Sequence, residues 1–258
     1  MVERVLDRVW KPQRRGEQHL AGPLVGVERH MVPTEHGAVA AWRIGDGPAI
    51  LLVHGWQDDS SLWSPLMAAL LEAGRAVVAF DLLAHGFSEG DRGLTFELVD
   101  AAHAVVAELG PIDGLVAHSF AGGGCALAVS EGLPAKRLVL IAPPLWPTSA
   151  TRFHRVAARL GYPNEVAERA REIYRATTVP SRADYDIRSR LAEVDAAVLI
   201  VSSLDDEQMA VEDARTIAPL LRRGELFELR GPDHRGCAQD PVVIRRVVEF
   251  LAGDQISS

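Results

Sequence analysis

The stretch GLVAHSFAGGG, residues 114–124, places a single serine between a short apolar run and a cluster of glycines. Residues 114–118 read as a buried strand. Phe120 onward, with Cys125, Leu127 and Val129 following, reads as the start of a helix. Ser119 then stands on a sharp strand-to-helix turn. The two backbones approach closely at such a turn, so the positions two before and two after the serine must carry almost no side chain. Ala117 and Ala121 meet that need. The spelling here is A-x-S-x-A, where G-x-S-x-G is usual. Taken alone, the stretch leaves two readings open: an activated nucleophile, or a hydroxyl in an ordinary turn.

The strand at 114–118 is one of a series. AILLVHG (49–55), AVVAFDL (76–82), RLVLIAPP (137–144), AVLIVSS (197–203) and ELFELRG (225–231) are likewise short runs; the first four are continuously apolar with β-branched residues, and the last carries its apolar residues at Leu226, Phe227 and Leu229. Runs apolar on both faces suit parallel strands covered by helices on each side of a sheet. Between them lie amphipathic stretches at 62–73, 96–109 and 211–223, each running into a glycine, as helices tend to do. The last stretch, DPVVIRRVVEFLAG (240–253), opens with Asp240 as N-cap and Pro241 at the first helical position. Alternating strand and helix predicts an α/β fold with a mostly parallel twisted sheet flanked by helices on both faces. Ahead of it, GVERHMVPTEHGAVAAWRIG (26–45) predicts one or two antiparallel strands around a turn at His36-Gly37, and so a sheet mixed at one edge.

Residues 146–191 hold no strand candidate, only polar helix-like segments. The expected organisation is therefore an α/β core of residues 1–145 and 192–258 with a helical cap inserted at 146–191. The cap carries nine arginines against five acidic residues. Glu165 with Arg169, Glu168 with Arg171 and Glu172 with Arg175 fall at helical spacing, so ordinary solvated pairs are preferred to a basic lid that attracts an anion.

Composition bounds the function. The chain has 258 residues, 48% of them hydrophobic, and a net charge of −8, which speaks against a nucleic-acid partner. Its two cysteines give no disulfide framework and no metal spacing, which fits a reducing, cytoplasmic setting. The opening MVERVLDRVWKPQRRG is interrupted by charges and offers no secretory core. No later run reaches the length of a membrane span. Val2, Val5, Leu6 and Val9 recur at helical spacing, the mark of a helix packed on its own domain. The glycines at 122–124 form no dinucleotide fingerprint, no G-K-[ST] loop exists, and histidines and carboxylates lack ligand spacing. Neither cofactor nor metal is expected, and the expected partner is a small-molecule substrate.

A serine hydroxyl is a poor nucleophile at neutral pH. It needs an imidazole to take its proton, a carboxylate to orient the imidazole, and donors for the developing oxyanion. GPDHRGCAQDP (231–241) puts His234 after the sixth run, and VSSLDDEQMA (201–210) puts Asp205 or Asp206 after the fifth. Both fall at carboxyl ends of parallel strands, the edge where open α/β sheets build their sites, and Ser119 lies at the same edge. LLVHGWQDD (51–59) adds His54-Gly55-Trp56 there, so that the backbone N–H of Trp56 can pair with that of Phe120 as an oxyanion hole. His54 and His85 are read as loop braces, and His118 as a packing or hydrogen-bonding residue of the sheet.

With these motifs in order, the chain resembles the α/β-hydrolase fold superfamily in its cap-bearing form. The likeness rests on His54-Gly55, on DLLAHGFS (81–88) against the family's D-x-x-G-x-G-x-S, on the turn at Ser119, on the acid after VLIVSSLDD, and on GPDH with the terminal helix. Together they cover nearly all of the chain except its first twenty or so residues and the cap. The order Ser119, Asp206, His234 is the family's order of nucleophile, acid and base. Three departures stand out: the alanines around Ser119, Ala84 where glycine is common, and Ser203 where glycine is frequent. Alignment on the family's strand–loop pattern favours Asp206 over Asp205. The resemblance implies esterase-like cleavage of a small to medium, largely apolar ester through an acyl-enzyme, with pocket walls from Trp56, Leu145, Trp146 and the cap. Hydrolysis of a carbon–carbon bond in a diketone would use the same triad, and an inactive binding protein would keep the same fold. A serine at position 119 speaks against dehalogenases and epoxide hydrolases of this fold, which use an aspartate there.

Overall fold

All six apolar runs lie side by side in one sheet. The computed structural model describes residues 1–14, 20–144, 148–177 and 191–253. Its eight strands are β1 (His30–Thr34), β2 (Gly37–Ile44), β3 (Ala49–Val53), β4 (Ala76–Phe80), β5 (Gly114–His118), β6 (Arg137–Ile141), β7 (Ala197–Ser203) and β8 (Gly224–Leu229). They are ordered β1-β2-β4-β3-β5-β6-β7-β8. From β4 through β8 every pairing is parallel. β1 pairs antiparallel with β2, and β2 antiparallel with β4, which makes the expected mixed edge. Thr34 pairs with Gly37, so Glu35 and His36 form the turn between the first two strands.

The described helices include α1 (Val2–Trp10), α2 (Ser64–Glu72), α3 (Thr95–Leu109), α4 (Ala121–Ser130), α5 (Thr148–Arg159), α6 (Asn164–Thr177), α7 (Val211–Ile217) and α8 (Pro241–Ala252). Side chains alternate across each strand, so one sheet feeds two cores. Leu51, Val53, Val78, Phe80 and Leu115 pack with Val99, Val105 and Leu127 of α3 and α4. Ile50, Leu52, Val77, Val116 and Val139 pack with Leu66, Leu70, Val243 and Val247 of α2 and α8. Fully burying one such side chain contributes about 1.5–3 kcal/mol, which is why register, and with it the height of each strand end, is strongly fixed. Asp240 caps α8 as expected, accepting from the N–H of Val242 at 2.8 Å and of Val243 at 3.2 Å.

Two elements differ from the sequence expectation. The helix predicted over 211–223 stops at Ile217 and gives way to a 3-10 turn, Ala218–Leu220. Pro219 has no N–H to continue the ladder, and Gly224 begins β8 instead of capping a helix. The N-terminal α1 turns Val5, Leu6 and Val9 onto Phe153 and Ala157 of α5 and Ala167 and Ala170 of α6, a third core separate from the two on the sheet. Among the described residues no helix is long and apolar enough to cross a membrane.

Ala84 explains one departure from the family pattern. It is buried with φ 64°, in the left-handed region that favours glycine, and its N–H donates to the Glu89 carbonyl at 2.7 Å. An L-residue pays about 1 kcal/mol there. Ala84→Gly should therefore stabilise the fold and raise Tm by about 2–4 °C. A thermal melt of the two proteins checks this, and an unchanged or lower Tm would contradict it.

Candidate active site

Four strand ends meet above the sheet: β3 leads into His54-Gly55-Trp56, β5 into Ser119, β7 into Asp206, and β8 into the loop of His234. The turn at Ser119 is the sharp one that the sequence predicts. Its φ is 50°, and Ala117 and Ala121 on either side are fully buried. The Ser119 N–H donates to the Ile141 carbonyl at 2.9 Å, and its own carbonyl accepts from Gly122 N–H at 2.8 Å. Holding a non-glycine residue at positive φ has a cost that the surrounding strand and helix must over-determine, a pattern found at functional sites.

Ser119 Oγ lies 2.7 Å from His234 Nε2, and His234 Nδ1 lies 2.7 Å from Asp206 Oδ2. The carboxylate accepts from Nδ1–H, which leaves Nε2 as the acceptor for the serine hydroxyl. Asp206 Oδ1 accepts from the backbone N–H of Gln208 at 2.7 Å and of Met209 at 3.0 Å. Burial pushes this carboxyl up, but the bond from His234 and these two N–H groups outweigh it and hold the group below the usual carboxylate range.

The neighbouring acid serves elsewhere. Asp205 Oδ2 accepts from Gly231 N–H at 2.8 Å, and its side chain is 45% exposed against 1% for Asp206. Ser203, the third departure from the family pattern, brackets this region. Its hydroxyl donates to the Pro232 carbonyl at 2.6 Å and accepts from Asp205 N–H at 3.2 Å, tying the loop of the acid to the loop of the histidine.

Gly55 brings the other loop against Ser119. A Cβ at position 55 would come within 3.0 Å of both Ser119 Cβ and His118 Nδ1, tighter than ordinary contact. Among the described residues, the N–H groups of Trp56 and Phe120 donate to no acceptor. The rings of the same two residues stand 5.2 Å apart, edge to face. The histidine braces are as expected. His54 Nδ1–H donates to the Gly55 carbonyl and its Nε2 accepts from Leu82 N–H, while His85 Nδ1–H donates to the Leu83 carbonyl. Burial and the nearby His54 lower the His85 pKa to about 3, so that ring is neutral and suited to bracing. Cys237 is buried with its pKa pushed up to about 12, which leaves it a poor thiolate donor. Among the described residues no group of three or more His, Cys, Asp and Glu is placed to hold a metal ion. Leu145 and Trp146, expected as pocket walls, lie outside the described residues.

The model of the alpha/beta hydrolase family matches residues 50–249. The chain belongs to this family. Among known proteins it is similar to a putative carbamate hydrolase, RutD, of Variovorax paradoxus, 26% identical in an alignment 253 residues long that covers 80% of this chain and 92% of that one. It is also similar to an uncharacterized protein of Mycobacterium tuberculosis, 37% identical over 115 residues, 42% of this chain and 33% of that protein. The chain thus spans about a third of the length of the mycobacterial proteins it matches. Among solved structures, the Pyrococcus furiosus esterase Pf2001 superposes with a TM-score of 0.72 at 19% identity, covering 94% of this chain and 98% of that one. A thermophilic esterase from Thermogutta terrifontis gives 0.67 at 17% identity, over 88% and 98%. At such identities these two likenesses show the fold.

Several contacts that frame this hydrolase-family site join residues remote in the chain; those of Arg235 and Arg14 escape a sequence reading, while His118 is the hydrogen-bonding residue expected. Arg235, beside His234, donates from Nε to Asp58 Oδ2 at 2.9 Å and from an η nitrogen to Oδ1 at 3.2 Å, joining the histidine loop to the Trp56 loop. His118 Nε2–H donates to the His234 carbonyl at 2.9 Å. Burial and the adjacent His234 lower the His118 pKa to about 4, so this brace stays neutral. Arg14 spans the carbonyls of His85, Gly86, Ser88 and Gly90 at 2.5–3.3 Å and pins the DLLAHG loop from outside.

Proposed function

We propose that the protein is a serine hydrolase that cleaves a carboxylic ester of a small to medium, largely apolar substrate through an acyl-enzyme. The observation that carries this reading is the continuous relay from Asp206 through His234 to Ser119, at 2.7 Å in each step, beside two free backbone N–H groups. In the first step, Ser119 Oγ bonds to the ester carbonyl carbon while His234 Nε2 takes its proton. The N–H groups of Trp56 and Phe120 hold the tetrahedral oxyanion. The carbon–oxygen bond to the alcohol then breaks, and the alcohol leaves with the proton from His234. Water, giving a proton to His234, attacks the acyl carbon; the bond to Oγ then breaks, His234 returns that proton to Ser119 Oγ, and the acid leaves. Asp206 holds the imidazole tautomer throughout and stabilises the imidazolium. The rings of Trp56 and Phe120 supply an apolar wall. No step draws on a cofactor or metal.

The supporting experiment is a substrate panel: p-nitrophenyl butyrate, the matching p-nitrophenyl carbamate, and an aliphatic 1,3-diketone. The carbamate is included because of the relative's description as a putative carbamate hydrolase. Ester turnover well above the other two is expected. Fast diketone cleavage beside slow ester cleavage would move the reading to carbon–carbon hydrolysis. Preferred carbamate cleavage would change the bond class, and no turnover of any compound would overturn the proposal in favour of a binding protein on this fold.

A further inference from the structure

The cap places one cation on the aromatic wall of the site. Arg152, on α5, lies with its guanidinium carbon 4.0 Å from the centre of the Trp56 ring and 5.6 Å from that of Phe120. These are the residues whose N–H groups flank Ser119. One Arg152 η nitrogen donates to the Val9 carbonyl of α1 at 2.8 Å. Among the described residues no carboxylate pairs with it. Other arginines of this segment behave differently: Arg171 meets Glu168, the pair expected from the spacing, and Arg169 meets Glu172 in place of the expected Glu165. Burial lowers the Arg152 pKa to about 10, which leaves the group a cation at neutral pH.

A guanidinium offers five N–H donors in a planar fork that matches a carboxylate with two parallel bonds. Stacking on Trp56 satisfies its face and fixes its plane but uses none of the donors at its edge. A largely buried cation held this way on the Trp56 and Phe120 rings, with no counter-ion among the described residues, is a preorganised receptor for an anion. We propose that Arg152 is a substrate-binding residue that receives a carboxylate carried by the ester, so that the preferred substrates are half-esters of dicarboxylic acids or esters of hydroxy acids. The inference rests on the ester-hydrolase reading and narrows its substrate class: an apolar stem lies along the Trp56 and Phe120 rings, and the anionic end meets Arg152.

The test compares matched pairs that differ only in the anion. Monoethyl succinate, glutarate and adipate are set against ethyl butanoate, pentanoate and hexanoate, and 4-acetoxybutanoate against butyl acetate, with hydrolysis followed by proton release. For wild type, kcat/KM should favour the charged member of at least one pair by tenfold or more, chiefly through KM. In Arg152→Gln that ratio should fall to about one, and Arg152→Lys should retain part of it. Each ratio is internal to one protein, so a general loss of folding or activity does not imitate the effect. Neutral esters preferred in every pair by wild type, or a ratio unmoved by Arg152→Gln, would overturn the inference while leaving the esterase reading intact. Failure to cleave any ester, charged or neutral, would overturn both.

Discussion

Ser119→Ala should lower kcat on the best ester of the panel by about 10⁶-fold, with KM within a few-fold of wild type. Oγ is the only heavy atom removed, and it is the atom that meets His234 Nε2 at 2.7 Å. Alanine fits the site without strain beyond what exists, because the positive φ at position 119 is already borne by a residue with a Cβ. The turn itself is held by the 119 N–H to Ile141 and by the 119 carbonyl to Gly122, neither of which involves the side chain. The fold should therefore survive, and an unchanged melt beside lost activity is the expected pairing. Residual cleavage above the water rate would come from the Trp56 and Phe120 N–H groups, which the substitution leaves in place. Activity within tenfold of wild type would exclude Ser119 as the nucleophile.

Asp206→Asn should lower kcat by about 10⁴-fold through the tautomer of His234. The carboxylate accepts from Nδ1–H at 2.7 Å, whereas an asparagine can turn its NH₂ to the same nitrogen. The ring proton then moves to Nε2, where it faces Ser119 and cannot accept the hydroxyl proton. Asp205→Asn should have no comparable effect, since its carboxylate is spent on Gly231 and Arg230. Stability should carry a matching signature. The Asp206 carboxyl is held below its ordinary value in the folded state, so its ionisation adds stability in full above the unfolded pKa of about 3.9 and loses it as pH falls through the lower folded value. The gap in unfolding free energy between wild type and Asp206→Asn should be flat from about pH 5 upward and narrow below about pH 4. Urea titrations across that range measure it, and a gap that widened toward acid would contradict the assignment.

Features governed by local chemistry were legible in the sequence. The five inner runs, β3 to β7, are strands because residues such as Ile50 and Leu51 must bury opposite faces, and that pattern is written in consecutive residues, whereas edge strand β8 holds no fully buried residue. The order of Ser119, Asp206 and His234 was legible because each follows its own strand. The choice between Asp205 and Asp206 required side-chain direction, which two adjacent acids in a loop do not encode. The early end of α7 is marked only by Pro219, a single local signal inside a long amphipathic pattern. Long-range pairs left no signal. Asp58 and Arg235 are separated by 177 positions, Arg14 and the 85–90 loop by more than 70, and nothing near either marks its partner. The packing of α1 on α5 and α6 belongs to the same class, since an apolar helical face does not name the surface that covers it. Arg152 is one of nine arginines in residues 146–191, whose charge pattern predicts solvated pairs. Arg171 makes its expected pair with Glu168, Arg169 takes Glu172 in place of Glu165, and only the fold shows Arg152 turned toward Trp56.

The most direct test of the central claim is intact-mass measurement after treatment with a fluorophosphonate, on wild type and on Ser119→Ala. A serine activated by the Asp206–His234 relay displaces fluoride from phosphorus and keeps the phosphonyl group, so wild type should gain the mass of one adduct and Ser119→Ala none. Wild type left unmodified under conditions that fully label a control serine hydrolase, or an adduct that persists in Ser119→Ala, would contradict the account.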